Sequence, residues 1–173
     1  MDQVAARVRK VVGATEIYRR AVADSLGVSD IELITLSELW YHGARTPSAL
    51  AERIGLTSPS VTALVDRLEH AGLASRRRHP VDRRSVLVEL TTTGAATLRA
   101  MFNMFSSDVA AAVRIEAPEH IAVFNQLLEQ IAGALLARAA DRPTIDATLR
   151  NTAPHPESVT PGTAVADADA DHE

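Results

Sequence analysis

Two short helix patterns follow one another closely between residues 46 and 72, and this segment limits the possible folds more than any other. Thr-Pro at 46–47 pairs an N-cap residue with a proline suited to the first helical position. Thr-Ser-Pro at 57–59 repeats the arrangement directly after a Gly-Leu turn at 55–56, and Gly72 ends the second pattern. Short helices joined by so tight a turn match helix-turn-helix geometry.

A basic hairpin pattern follows the second short helix. The run Arg76–Arg78 leads into a turn signal at 79–84, and the β-branched run Ser85–Leu90 comes after it. Residues 76–84 contain five Arg and one Asp, a local charge of +4. A helix-turn-helix followed at once by a basic hairpin predicts a winged helix, a mainly α fold of the α+β type.

Other helix patterns flank this segment on both sides. We predict a long helix over 2–26 and a shorter one that opens with a capping box of Ser29 and Glu32. Two further long helices are predicted over 92–115 and 118–140. There is no strand–helix–strand alternation and no Gly-rich phosphate loop, which excludes a nucleotide-binding α/β fold.

The first and last of the long helices each carry an apolar seam. Residues spaced alternately four and three apart run from Val4 to Val22, and a similar seam runs from Ile121 to Leu135. Because a small winged helix cannot cover both seams, we expect them to form the interface of a homodimer. Packing within one subunit is the alternative.

The formal net charge of −4 is unevenly distributed along the chain. The last 31 residues, from Pro143, hold half of the prolines, no aromatic residue, and six acids against one Arg. This composition predicts a disordered acidic tail, because it buries too little apolar surface to offset its ordering entropy. The preceding 142 residues carry a net +1, so the overall acidity does not argue against a DNA partner. The predicted parts are an N-terminal dimerisation helix (1–28), a winged helix-turn-helix domain (29–92), C-terminal dimerisation helices (93–140) and the acidic tail (141–173).

The second short helix has an apolar face and a polar face. The polar face carries small hydroxyl groups near the helix N-terminus, which suit phosphates and base edges of DNA, although a solvated polar face is an equal alternative. The Arg-rich hairpin favours DNA, because a protruding Arg fits a narrow minor groove. Asp82 either holds a neighbouring Arg by a charge-assisted hydrogen bond or is an ordinary turn aspartate. The candidate DNA-binding residues are Ser58, Pro59, Ser60, Thr62, Ala63, Arg67, Arg76, Arg78, Asp82, Arg83 and Arg84. The residues expected to face the core are Val61, Leu64, Val65 and Leu68.

The stretch Leu56–Leu73, LTSPSVTALVDRLEHAGL, resembles the recognition-helix segment of MarR-type (multiple antibiotic resistance regulator) transcription factors. Arg76, the run Asp82–Arg84 and the pattern Leu-Thr-x-x-Gly at 90–94 are similar to that family's wing signature, and the resemblance spans about residues 1–140. It implies a homodimer whose winged helices each read half of a palindromic operator in double-stranded DNA. It also implies that Arg84 enters the minor groove and that Asp82 orients the wing.

Members of this family commonly respond to small, often aromatic, effectors held between the dimerisation and DNA-binding parts. The resemblance therefore implies a transcriptional regulator, most often a repressor, that such a ligand releases from DNA. For most of the aromatic side chains concerned, core packing is the favoured alternative. The candidate pocket residues are Tyr18, Trp40, Tyr41, His42, Phe102 and Phe105, with Met101 beside them.

The sequence also excludes or disfavours several other functions. Without cysteine, the chain has no disulfide, no thiolate metal site, no cysteine nucleophile and no thiol redox sensor. Its six histidines lack ligand spacing, and no nucleophile elbow or paired-carboxylate motif is present, so we expect no metal, no cofactor and no enzymatic activity. The sequence shows no signal peptide and no apolar run of about 20 residues, which predicts a cytoplasmic protein without membrane contact. A winged helix that binds another protein instead of specific DNA is the alternative function, which the Arg-rich hairpin disfavours.

Overall fold

The computed structural model describes residues 2–82, 84–113 and 118–152, so the predictions made for Arg83 and for 153–173 lie outside the described residues. The chain divides into two compact units, 1–113 and 114–173. The described part is mostly helical with a two-stranded antiparallel sheet, and the predicted winged helix-turn-helix fold is confirmed. The elements are α1 (Asp2–Leu26), α2 (Asp30–His42), α3 (Pro47–Ile54), α4 (Ser58–His70), β1 (Ala74–Arg78), β2 (Val86–Leu90), α5 (Thr92–Ala112), α6 (Pro118–Ala140) and α7 (Arg142–Thr152).

The starts of α2 to α5 are fixed by the local capping that the sequence predicts. Ser29 Oγ accepts the Glu32 N–H at 3.4 Å, and the Glu32 carboxylate accepts the Ser29 N–H at 2.8 Å, which completes the capping box of α2. Thr46, Thr57 and Thr91 cap α3, α4 and α5, each accepting the backbone N–H three residues further on. Each cap satisfies a donor that would otherwise be unpaired at the helix end.

β1 and β2 form the predicted hairpin. They pair antiparallel, starting with Ala74 opposite Leu90. Arg45 forms a short bridge to β2, because its backbone N–H and C=O both bond to Val88, at 2.9 and 2.7 Å. This bridge joins the α2–α3 connection to the hairpin, and the sequence pattern gives no sign of it.

The hydrophobic core of residues 1–113 is built around α4. The side chains of α4 predicted to face the core are buried. They belong to one cluster with fully buried side chains of α2, α3, β2 and α5, such as Leu36, Leu50, Val88 and Leu98. Because the apolar face of α4 lies against this cluster, its polar face is left at the protein surface.

The first turn of α5 touches the backbone that links α4 to β1. The Thr91 hydroxyl donates to the Gly72 carbonyl at 2.6 Å, and the Thr91 N–H donates to the Leu73 carbonyl at 3.1 Å. A Cβ atom built at Gly94 would lie only 2.0 Å from the Leu73 carbonyl oxygen. Glycine is therefore required where α5 approaches this backbone.

Residues 118–152 contain α6 and α7. The bounds of α6 are those predicted from the sequence. Apolar side chains along α6 are exposed, including Phe124, Leu128 and Leu135 at 40, 47 and 57%. No helix within the described ranges combines the length and the apolar character needed to cross a membrane.

α7 corrects the prediction of disorder for residues 142–152. Residues Arg142–Thr152 are helical, and the Asp141 carboxylate caps them by accepting the Thr144 N–H at 3.2 Å. Hydrogen bonds from Thr144 hold the pKa of Asp141 below its ordinary value. Pro143 lies in the first turn, where its missing N–H costs no helical hydrogen bond. The average composition of the last 31 residues obscures this local helix start.

Candidate nucleic-acid interface

The polar face of α4 is exposed and rich in hydroxyl groups. Ser58, Pro59, Ser60, Thr62 and Ala63 are all exposed, as the helical periodicity predicts. The Thr62 hydroxyl donates to the Ser58 carbonyl at 3.1 Å, which leaves its oxygen lone pairs available as acceptors. This surface can therefore receive donors from base edges, and its helix N-terminus suits a phosphate.

The turn between β1 and β2 is held by two side chains that bond to its backbone. Asp82 Oδ1 accepts the Arg84 N–H at 3.0 Å, so its described bond is that of a turn aspartate and not an ion pair with an Arg side chain. His79 Nδ1 accepts the N–H groups of Val81 and Asp82 at 3.2 and 3.0 Å. No sequence pattern indicates this role for His79, because a turn histidine carries no motif of its own.

Arg78 and Arg84 are the described hairpin arginines without a partner. Both are exposed, and neither guanidinium has a hydrogen-bond or ion-pair partner among the residues that the structure describes. Arg84 lies in the turn, where Asp82 fixes its backbone. These two side chains are therefore free to bind an anion.

Arg76 has a different environment from the one predicted for a DNA contact. Its Nη1 pairs with the carboxylates of Asp66, at 2.7 Å, and of Glu69, and its Nη2 donates to the Thr62 carbonyl at 3.1 Å. Its backbone N–H also donates to Glu69, at 2.7 Å. Arg76 thus links β1 to α4, and its charge is already neutralised. Alternation along β1 places Arg77 on the other face, where it pairs with Glu89.

Arg67 lies on the exposed side of α4 and bonds to α2. Its Nε donates to Glu32 Oε1 at 2.5 Å. Burial raises the pKa of Glu32, but hydrogen bonds from Ser29 and Arg67 outweigh this effect and leave the pKa below its ordinary value. Glu32 is therefore a buried carboxylate that stays charged, whereas its sequence pattern with Ser29 indicates only a capping role.

A cavity of about 210 Å³ lies within residues 1–113 and includes much of the predicted effector pocket. The Tyr18 hydroxyl donates to Asp108 at 3.3 Å, and burial and Asp108 together raise the Tyr18 pKa. Its ring contacts Phe105 edge-on, with centroids 5.6 Å apart. The predicted pocket residues that line this cavity are Tyr18, Tyr41, Met101, Phe102 and Phe105.

Trp40 and His42 do not line this cavity. Leu33, Ser37 and Tyr41 of α2 are four residues apart and line the cavity. The side chains next to Tyr41 in the sequence therefore project in other directions. Trp40 packs against Phe102 with ring centroids 5.8 Å apart. His42 Nε2 lies 3.0 Å from Arg53 of α3. Within the described part of the chain, no group of three or more acidic or histidine side chains is placed to hold a metal ion.

This arrangement defines a winged helix-turn-helix protein with a hydroxyl-bearing helix face beside an Arg-bearing hairpin. Residues 29–86 match the sequence model of the MarR family. The HTH-type transcriptional regulator YcgE of Bacillus subtilis is 36% identical over 98 residues, covering 57% of this chain and 64% of that relative. The HTH-type transcriptional repressor NicR of Pseudomonas putida is 33% identical over 101 residues, covering 58% and 63%. The chain spans less than two thirds of the length of these relatives. Its similarity to the MarR family model is confined to residues 29–86, the segment from α2 to the start of β2.

Solved structures share this fold. A MarR family protein from Bacillus stearothermophilus superposes with a TM-score of 0.67 at 21% identity, covering 78% of this chain and 94% of that one. A variant of S. aureus MepR bound to an oligodeoxyribonucleotide superposes with a TM-score of 0.56 at 21% identity, covering 76% and 97%.

Proposed function

We propose that the chain is a dimeric, sequence-specific DNA-binding transcriptional regulator. The observation that carries the proposal is the exposed Arg84, whose backbone Asp82 fixes while its guanidinium has no partner in the described residues. A free guanidinium on a protruding turn gains most from the negative potential of a narrow minor groove. The DNA-bound MepR structure, which shares this fold, supports a nucleic acid as the partner.

The two parts of the interface have separate tasks in this proposal. The hydroxyl groups of Ser58, Ser60 and Thr62 lie on the exposed side of α4, in its N-terminal half, and contact base edges in the major groove. Arg78 and Arg84 contact the backbone and the minor groove. Arg76 contributes by holding β1 against α4, which fixes the distance between the two parts.

A second copy of the chain completes the proposed regulator. α1 exposes apolar side chains such as Val11 and Ile17, at 62 and 70%, and α6 separately exposes its own apolar row. Covering them in a homodimer removes apolar surface from water. Two-fold symmetry of the dimer then requires a palindromic operator.

Regulation by a small effector forms the last part of the proposal. The aromatic cavity of about 210 Å³ in residues 1–113 fits a small, flat, mainly apolar molecule. NicR carries the name of a repressor, which favours repression as the basal activity. Binding of an effector that prefers the DNA-free conformation would release the operator.

The first test compares two hairpin arginines on a duplex recovered by in vitro selection with the wild-type chain. Arg84→Ala should weaken binding and lower the slope of log affinity against log salt by about one unit or less, because one phosphate-region contact is lost. Arg77→Ala removes the same charge from the same hairpin, but this side chain lies on the face of β1 opposite Arg76, where it pairs with Glu89, so its effect should be smaller. Equal losses in both variants would contradict the assignment of Arg84. Failure of the wild-type chain to select any duplex would favour the protein-binding alternative.

A further inference from the structure

Glu32 connects the start of α2 to the exposed side of α4. One of its carboxylate oxygens accepts the Ser29 N–H at 2.8 Å, and the other accepts the Arg67 Nε–H at 2.5 Å. The Glu32 side chain is 8% exposed, whereas that of Arg67 is 59% exposed. The contact therefore joins a fixed, buried acceptor to a cation at the surface.

This contact leaves the two Nη atoms of the Arg67 guanidinium free. Only Nε is used, and neither Nη atom has a partner among the described residues. A guanidinium held at Nε has a fixed plane, and its two Nη groups form the fork that binds a phosphate through two parallel hydrogen bonds. Holding the side chain in advance reduces the conformational entropy that binding would otherwise cost.

We propose that Glu32 is a positioning residue for DNA binding. It holds Arg67 so that the two Nη groups donate hydrogen bonds to a backbone phosphate beside the major groove. The inference rests on the proposed DNA-binding function. A phosphate fits better than a base edge, because Arg67 lies in the C-terminal part of α4 and the N-terminal residues of a recognition helix reach the bases.

Positioning and simple electrostatics predict opposite effects for Glu32→Gln. Removing a negative charge should strengthen binding to a polyanion. Positioning predicts weaker binding, because both Glu32 oxygens are occupied by donors. Glutamine has a single acceptor oxygen, so its NH2 group would face either Ser29 N–H or Arg67 Nε–H.

The experiment measures affinity by fluorescence anisotropy on a duplex recovered by in vitro selection with the wild-type chain. Glu32→Gln should weaken binding roughly five- to tenfold, the scale of the net contribution of one ordinary hydrogen bond. In an Arg67→Ala background the same change should cost less than about twofold, because the two residues act as a unit. Glu52→Gln is the matched control: it removes the same charge from an exposed side chain of α3 without a described partner, and it should not weaken binding.

Two further variants separate positioning from charge and from helix capping. Arg67→Lys keeps the charge but lacks the fork, so it should weaken binding, though less than Arg67→Ala, which removes both. Ser29→Ala removes the capping hydroxyl but leaves Glu32 and Arg67, so it should lower the melting temperature and leave affinity unchanged.

Several results would overturn the positioning role. These are unchanged or tighter binding by Glu32→Gln, an equal loss with and without Arg67, wild-type affinity of Arg67→Lys, or an equal loss in Ser29→Ala. If Arg84→Ala weakens binding while Glu32→Gln does not, only the positioning role fails. If the wild-type chain binds no duplex, both the positioning role and the proposed DNA-binding function are wrong.

Discussion

Acidic side chains around α4 determine which arginines are available to a ligand. Asp66 and Glu69 neutralise Arg76, and Glu89 neutralises Arg77. The local charge of +4 counted over residues 76–84 therefore overstates the positive potential of the hairpin. In the proposed function, the unpaired Arg78 and Arg84 supply the hairpin's contacts to DNA. Such partly exposed ion pairs contribute little to stability, so their main effect is to fix geometry.

A single glycine controls how α5 meets the winged helix. Gly94→Ala should destabilise the fold by about 1–3 kcal/mol, because the new Cβ would lie 2.0 Å from the Leu73 carbonyl oxygen and the backbone must shift. Thermal unfolding followed by circular dichroism measures the change. Gly13→Ala in α1 is the control, since a Cβ there meets nothing within 4 Å, and it should be neutral or stabilising. Equal melting temperatures for both variants would contradict the close approach.

At the scale of elements, the sequence predicts what is local. Caps such as Thr46 and Thr57 lie within three residues of the donors they satisfy, so the starts of α3 and α4 follow from the sequence alone. The exposed face of α4 follows from its helical period. α7 also has a local start signal at Asp141, but the prediction from average composition overlooked it.

Contacts between distant residues could not be predicted in this way. Arg67 and Glu32 are 35 residues apart, and nothing near either residue specifies the pairing. Arg76 likewise looked like a free cation, because Asp66 and Glu69 reach it only after β1 packs against α4. The tertiary fold decides these pairings, and they change the predicted site more than the predicted fold.

The contact between α2 and α3 makes stability depend on pH. The hydrogen bond and the charge of Arg53 hold the pKa of Glu38 below its ordinary 4.5. An unfolded chain therefore binds a proton at Glu38 before the folded chain does, so the contribution is present above pH 4.5 and is lost as pH falls through the lowered pKa.

Glu38→Gln should therefore reduce the loss of stability as pH falls from near neutral to below 4.5. Urea unfolding at a series of pH values measures this slope. Glu52→Gln, which changes an exposed glutamate without a described partner, should keep the wild-type slope. An unchanged slope in Glu38→Gln would show that Arg53 does not hold the carboxylate in solution.

At the scale of the whole molecule, acidic and basic residues are concentrated in different parts of the chain. Residues 153–173 carry five acids and no Lys or Arg, so their removal changes the formal net charge from −4 to +1. The described hairpin offers Arg78 and Arg84 as unpaired cations. We expect an acidic segment of the same chain to compete with phosphates for such cations at a high effective concentration. This competition should weaken binding to any DNA, whatever its sequence.

Truncation after Thr152 keeps α7 and should raise affinity for random-sequence duplex DNA at low salt. The gain should shrink as salt approaches about 0.15 M, where the Debye length falls to roughly 8 Å and screens exposed charges. Anisotropy titrations across a salt series measure it. The untruncated 173-residue chain with these five acids changed to Asn and Gln should bind like the truncated chain, because charge and not length causes the competition. If the neutralised chain instead binds random DNA like the wild type while the truncated chain binds more tightly, the segment acts by occupying space and the electrostatic explanation is wrong.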